Sequence, residues 1–349
     1  MRSEKRRIRL IALESGCLAI PLVRALRNFG YRVAVFDSRQ ASKFLAIRRN
    51  KTDKNDARGL AELARLGRDT VSEVRVKSAE CQRLRSMLVS RQKLVQLRTA
   101  AEGSMRSLFR LNGGQLRRCK NAACLRRNVD AELKRIRRLT KVDLTPEVTP
   151  LLALSEALRV YVEGLDRKLL QMAQEHPVCS RFLEITGIGP LCALSFFSAV
   201  EDPTRFKRNA DIGPYLGMVP VVRQSGQSTT KRRISKMGDA MTRSYLSTAA
   251  LLHLRFGNSI ISTWGTSLME RTAKRQAQVA VARKLAVAMM AMWKSGSSYD
   301  PFYANPARNI EGLTPLTPCG AAGWDTASEP EAVLQTSEVV LAQPVDSLL

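Results

Sequence analysis

The chain has 349 residues, 44% of them hydrophobic, enough for two or three domains with cores of their own. Lys and Arg number 57 against 31 Asp and Glu, a formal charge of +26, which points to a polyanionic partner. No apolar run reaches membrane-spanning length, and the apolar stretch after the basic start MRSEKRR is broken by Glu14, which excludes a secretory signal.

The charge is uneven: residues 1–299 hold 56 of the basic and 24 of the acidic residues. Seven irregularly spaced cysteines describe no disulfide framework, and with only His176 and His253 no zinc-ligand pattern emerges. These features fit a reduced, cytoplasmic protein.

In chain order, residues 7–13 predict a strand, followed after Gly16 by an amphipathic helix that Gly30 ends. Residues 31–37 predict a second buried strand, and residues 57–67 a helix after a basic loop. Strand, helix, strand, helix implies an α/β unit with a parallel pair.

From about residue 77 the period changes to near 3.5. Leu84, Leu88, Arg91, Val95, Arg98 and Met105 form one series, and Leu151, Leu154, Leu158, Tyr161, Leu165, Leu169 and Met172 another. Two such helices predict an antiparallel coiled-coil arm, with Pro146 and Pro150 bounding the second helix. Between them, residues 117–141 carry ten basic and two acidic side chains, a candidate nucleic-acid contact. Residues 180–296 read as helices with short turns, the last helix at about 274–294 ending at Gly296. The Pro-, Ala- and Thr-rich tail from residue 299 is expected to be disordered. The domains expected are therefore 1–76, 77–179, 180–298 and the tail 299–349.

Three groups of residues carry candidate chemistry. Glu14 ends the first strand, and Asp53 and Asp56 lie three apart at the start of a helix. If that helix crosses the sheet edge, three carboxylates converge on a hard cation such as Mg²⁺; otherwise Asp53 is an N-cap and Asp56 a first-turn acid. Ser225 lies beside Gly226 amid Arg223, Lys231, Arg232, Arg233 and Lys236. A serine attacking phosphorus needs such cations around the phosphoryl oxygens, but a basic loop that merely touches phosphate has the same composition. Gly187 and Gly189, in ITGIGP, allow backbone N–H groups to approach a phosphate closely.

Residues 12–16 (ALESG), the following RALRNFGYRVAVFDSRQASKF and the block KTDKNDARGLAELAR resemble the N-terminal RuvC-like domain of the DEDD insertion-sequence transposases, the "IS one-ten" family. LEITGIGPLCA and RFKRNADIGPYLGMVPVVRQSGQSTTKRRISKMGDAMTRSYLSTAA resemble that family's C-terminal transposase domain, so the resemblance spans roughly residues 8–296. It implies an RNase H-like fold whose Asp, Glu, Asp, Asp set binds Mg²⁺, with Glu14, Asp53 and Asp56 matching the last three. It also implies that Ser225 forms a 5′-phosphoserine link to DNA, in homo-oligomers guided by a structured bridge RNA. The family's first Asp lies well upstream of the Glu, whereas this chain starts thirteen residues before Glu14. Asp37, after the second strand, does not replace it. The fold expected is thus α/β plus all-α: a partial RuvC-like domain, a coiled-coil arm and a helical serine domain. Two rivals remain open: a RuvC-like nuclease using metal-activated water, and a degraded product that binds nucleic acid without cutting.

Overall fold

The computed structural model describes residues 8–46, 52–66, 73–119, 121–225 and 228–302, with the backbone alone at residues 222–225 and 228–232. The tail expected to be disordered lies almost wholly outside them.

β1 (Ile11–Glu14) and β2 (Val33–Phe36) pair in parallel, with Ile11 opposite Val33 and Glu14 opposite Phe36. α1 (Ala19–Asn28) makes the crossover. β2 is buried on both faces, as a strand of the parallel type requires. Ala34 and Phe36 pack with Leu63 of α3 (Asp53–Leu66), while Val33 and Val35 pack with Val23 of α1. On its free edge β2 accepts Val74 N–H at Val35 O, at 2.7 Å. Asp37 caps α2 (Ser38–Leu45) by accepting from the Arg39 and Gln40 amides, both at 3.1 Å. The predicted strands exist, the first starting four residues later than expected and the other ends within two residues. Among the described residues the sheet of this unit has these two strands.

α4 (Ala79–Leu111) and α6 (Thr145–Glu175) form the long arm. Their polar contacts fix an antiparallel course: Arg91 meets Asp166, and Glu102 meets Ser155 and Arg159. On α4 the seam includes Leu84, Leu88 and Met105 of the predicted series, together with Cys81, Ala101, Glu102 and Phe109, which lie outside it. On α6 it runs through Val148, Leu152, Ser155, Arg159, Val162 and Leu169, whereas Leu154 and Tyr161 are exposed. The expected stripe fails there because the true seam carries Ser155 and Arg159, which an apolar pattern does not register. Pro150 lies inside α6 rather than bounding it; Pro146, in the first turn, lacks an N–H the helix has no use for.

The basic segment is a third helix, α5 (Ala122–Thr140). Leu125, Val129 and Ile136 bury with Met105, Phe109, Val148 and Leu152 in a core of their own. Charge dominates this segment's composition, yet its apolar residues recur at helical spacing.

The remaining elements are α7 (Pro177–Phe182), α8 (Pro190–Val200), α9 (Ile212–Tyr215), β3 (Pro220–Ser225), β4 (Ser228–Ile234), α10 (Ala240–Phe256), α11 (Ile260–Arg271) and α12 (Lys274–Ser295). Buried α8 packs against α4, α6 and α10, and its Phe197 stacks on Trp293 of α12. α12 ends at Gly296 in the left-handed conformation, as the sequence predicts. Two features differ from expectation. An antiparallel hairpin, β3–β4, interrupts the helical pattern. Leu84 and Leu88 of α4 and Leu169 of α6 share one core with Leu194, Leu246 and Leu285. The arm is therefore rooted in the C-terminal unit, and the core crosses the boundary expected at residue 179.

Candidate active site

The acidic group begins at the carboxyl end of β1, where Glu14 is exposed. Ser15 N–H donates to Phe36 O at 2.9 Å, and Ser15 Oγ accepts from Ser38 N–H at 3.0 Å. These bonds hold the strand end against the start of α2. On α3, Thr52 Oγ1 accepts from the Asn55 amide at 3.3 Å, the bond an N-cap makes. Asp53 is therefore free of the capping role, and Asp53 and Asp56 both stand in the first turn. Oxygen-only donors suit a hard divalent cation. The full convergence is not present, however: among the described residues no three His, Cys, Asp or Glu gather as a metal-binding group. α3 touches the strands through Leu60, Leu63 and Ala64, so its contact with the sheet lies a turn or more beyond both aspartates.

Ser225 is the last residue of β3 and pairs with Ser228 across two residues, Gly226 and Gln227. Cross-strand register sets Arg223 opposite Thr230 and Lys231 opposite Val222. The side chains of Arg223, Ser225, Lys231 and Arg232 lie outside the described residues. Arg233 and Lys236 are exposed, and Lys236 adopts φ 55° while its N–H donates to Gly217 O at 3.1 Å. Gly217 (φ 68°) approaches so closely that a Cβ there would lie 2.0 Å from Met237 O. This contact fastens the end of the hairpin to α9. Asp239 then caps α10 by accepting from Thr242 N–H at 2.8 Å and pairs with Arg85 of α4. Sequence reasoning missed Asp239, although an Asp three residues before Thr242, following Gly238, carries an N-terminal signal.

The two turn glycines differ. A Cβ on Gly187 would meet Ala249 O at 2.6 Å, so this glycine admits the backbone of α10. Gly189 has open space around it and forms the N-cap of α8. His253 fastens the same turn, its Nδ1 2.8 Å from Thr186 O and its Nε2 2.8 Å from Ser259 Oγ.

The α/β unit reaches the C-terminal unit through a short connector. Arg75 pairs with Asp202 at 2.5 Å, Lys77 donates to the Ser198 and Ala199 carbonyls, and Ser78 N–H donates to Glu201 Oε1 at 2.7 Å. Arg39 of α2 also lies 3.6 Å from Met237 Sδ, beside the exit of the hairpin.

A family model described as "Transposase IS116/IS110/IS902 family" matches residues 179–264, and a DEDD transposase model matches residues 3–111. The transposase for insertion sequence element IS1111A of Coxiella burnetii is 31% identical over 264 residues, 72% of this chain and 69% of that protein. The chain belongs to the IS116/IS110/IS902 family of transposases. A putative transposase of Sinorhizobium fredii is 29% identical, covering 83% of this transposase and 74% of the relative. A probable family 20 transposase of Pseudomonas aeruginosa is 26% identical over 84% and 86% of the two chains. The two matched segments contain Glu14, Asp53 and Asp56 on one side and Gly187, Gly189 and Ser225 on the other. Among the described residues no helix is long and apolar enough to cross a membrane.

Proposed function

We propose that this transposase cuts and rejoins the DNA of an insertion sequence with Ser225 as nucleophile. The observation that carries the proposal is the position of Ser225 at the end of β3, at the bend of a hairpin whose strands hold Arg223, Lys231, Arg232 and Arg233. In the reaction, Ser225 Oγ bonds to phosphorus, the bond to the 3′ oxygen breaks, and the serine proton passes to that oxygen. Rejoining reverses the exchange on a second 3′ hydroxyl. The basic residues, Lys236 included, stabilise charge on the phosphoryl oxygens.

Members of a DEDD family use divalent metal. In this reading the ion is Mg²⁺, and Glu14, Asp53 and Asp56 offer carboxylates to it. When bound, it neutralises charge on phosphate oxygens. As they stand, these three do not make a complete ligand set among the described residues. A cytoplasmic homo-oligomer guided by a structured RNA completes the proposal; the family resemblance and the charge of +26 support it.

The test uses DNA bearing the ends of the element, with and without RNA transcribed from its non-coding flank. A covalent protein–DNA adduct that forms with the wild type and disappears in Ser225→Ala supports the nucleophile. Strand cutting without an adduct, or recombination by Ser225→Ala, rejects it in favour of metal-activated water.

A further inference from the structure

We infer that the C-terminal half of α5 is a second nucleic-acid site, in which Lys134, Arg137, Arg138 and Lys141 grip a phosphodiester backbone away from the Ser225 hairpin. This rests on the reading of the chain as a transposase that engages nucleic acid, but not on the chemistry of Ser225.

The four residues stand at i, i+3, i+4 and i+7, a single face of the helix about 10 Å long. They line an open concavity of about 670 Å³. α5 sorts its cations. Arg126 is matched by Glu156 of α6 and Arg135 by Glu132 on its own helix. Among the described residues Lys134, Arg138 and Lys141 form no ion pair. Arg137 meets Asp143 only at 3.8 Å, with the two side chains 71% and 47% exposed, a geometry that contributes little. The opposite face, Leu125, Val129 and Ile136, is committed to the core. A rigid helix thus holds a row of unmatched charges outward.

The rival explanation is the helix dipole, which favours cations near a C-terminus. It covers only the last turn and does not explain Lys134. Lys141 is the C-cap at φ 62°, a conformation that glycine adopts without strain and lysine does not. A lysine there carries backbone strain that a glycine would not. α5 also lies between the segments that match the family models, outside the Ser225 and Glu14 blocks.

The experiment measures binding of the full chain to a short DNA duplex and to an RNA hairpin across a salt series. One variant combines Lys134→Gln, Arg137→Gln and Arg138→Gln; the other is Lys141→Gly. The expected result is weaker binding and a log–log salt slope shallower by about 0.9 for each B-DNA phosphate that is no longer neutralised. Weakening on DNA alone assigns the site to DNA, on RNA alone to RNA, and on both to a shared backbone site. Lys141→Gly removes strain, so its melting temperature holds or rises, and it decides the matter if the triple variant does not fold. Unchanged affinity and slope on both ligands, in folded variants, overturns the proposal. Repeating the series in a Ser225→Ala background separates this site from the catalytic proposal.

Discussion

Glu102 of α4 and Arg159 of α6 meet at 2.6 Å in the seam of the arm, each residue 8% exposed. Ser155 Oγ donates to the same carboxylate at 3.2 Å, and Arg106 donates to its other oxygen at 3.1 Å. One carboxylate thus answers for several cations, and its loss leaves Arg159 buried and unpaired. Glu102→Ala is expected to destabilise by about 3–5 kcal/mol, whereas replacing Glu102 and Arg159 together by Leu costs far less or nothing. Urea unfolding of the two variants checks this. Equal losses would mean that the pair itself, rather than the orphaned charge, sets the cost.

The hairpin depends on a close backbone approach. Gly217 takes a left-handed φ of 68° with Met237 N and O inside the space a Cβ would need. Gly217→Ala therefore adds strain and forces β4's exit away from α9. The expected outcome is a loss of several kcal/mol in stability, of the size strain and steric displacement produce together, and loss of strand transfer even at temperatures where the protein stays folded. Retained transfer in a folded variant would show that the hairpin's anchorage does not position the reaction.

Asp239 ties the same region to the arm. Burial acts to raise its pKa, but the Thr242 amide and the Arg85 guanidinium outweigh this and hold it below the usual carboxylate range. A depressed folded pKa contributes stability that is present above the unfolded value and lost as pH falls through the folded one. Asp239→Asn is expected to flatten the acid limb of the stability profile and, by leaving Arg85 without its acid, to lower the plateau at neutral pH. Chemical denaturation across acid pH measures both. A variant whose acid limb parallels the wild type would remove Asp239 from the account.

The sequence announces some of this architecture and conceals the rest for physical reasons. β1, α1 and β2 were legible because β2 alternates residues between two buried faces and carries an apolar run. α12 was legible through its apolar spacing and Gly296. The α6 seam was hidden by Arg159 and Ser155, and α5 by its own charge. The β3–β4 hairpin carries polar and basic residues on both strands, so no two-residue alternation marks it, and only Ser225-Gly226 signals a bend. For the candidate site, Ser225 and the acids are proposed because the motif blocks that hold them resemble the family in order. What sequence could not supply was the tertiary fact that α3 meets β1 through Leu60 and Leu63, leaving Glu14, Asp53 and Asp56 short of a three-residue metal group. Thr52, the cap of α3, likewise stands one residue before Asp53, the cap in the alternative reading.

The connector between the two units should respond to alkaline pH through Lys77. Its Nζ donates to Ser198 O at 2.5 Å and to Ala199 O at 2.7 Å, in the last turn of α8. Burial lowers its pKa from 10.5 to about 8; Arg85 and Arg205 push the same way, and Glu201 and Cys81 oppose them. Below about pH 8 the lysine is charged in both states, and the folded protein bears the full cost of a partly desolvated ammonium. Between about 8 and 10.5 the unfolded chain binds more protons than the folded one, so this residue makes stability rise with pH through that window. Lys77→Met removes the titration along with two hydrogen bonds. Its stability should therefore lack the rising contribution, so the wild type should gain stability relative to the variant as pH rises, until both forms of the lysine are neutral. The measurement is the urea midpoint of each protein at several pH values in that window. If the difference stays constant, Lys77 titrates in the folded protein as it does in the unfolded chain, and the connector is held by Arg75–Asp202 and Ser78–Glu201 without a pH-dependent part.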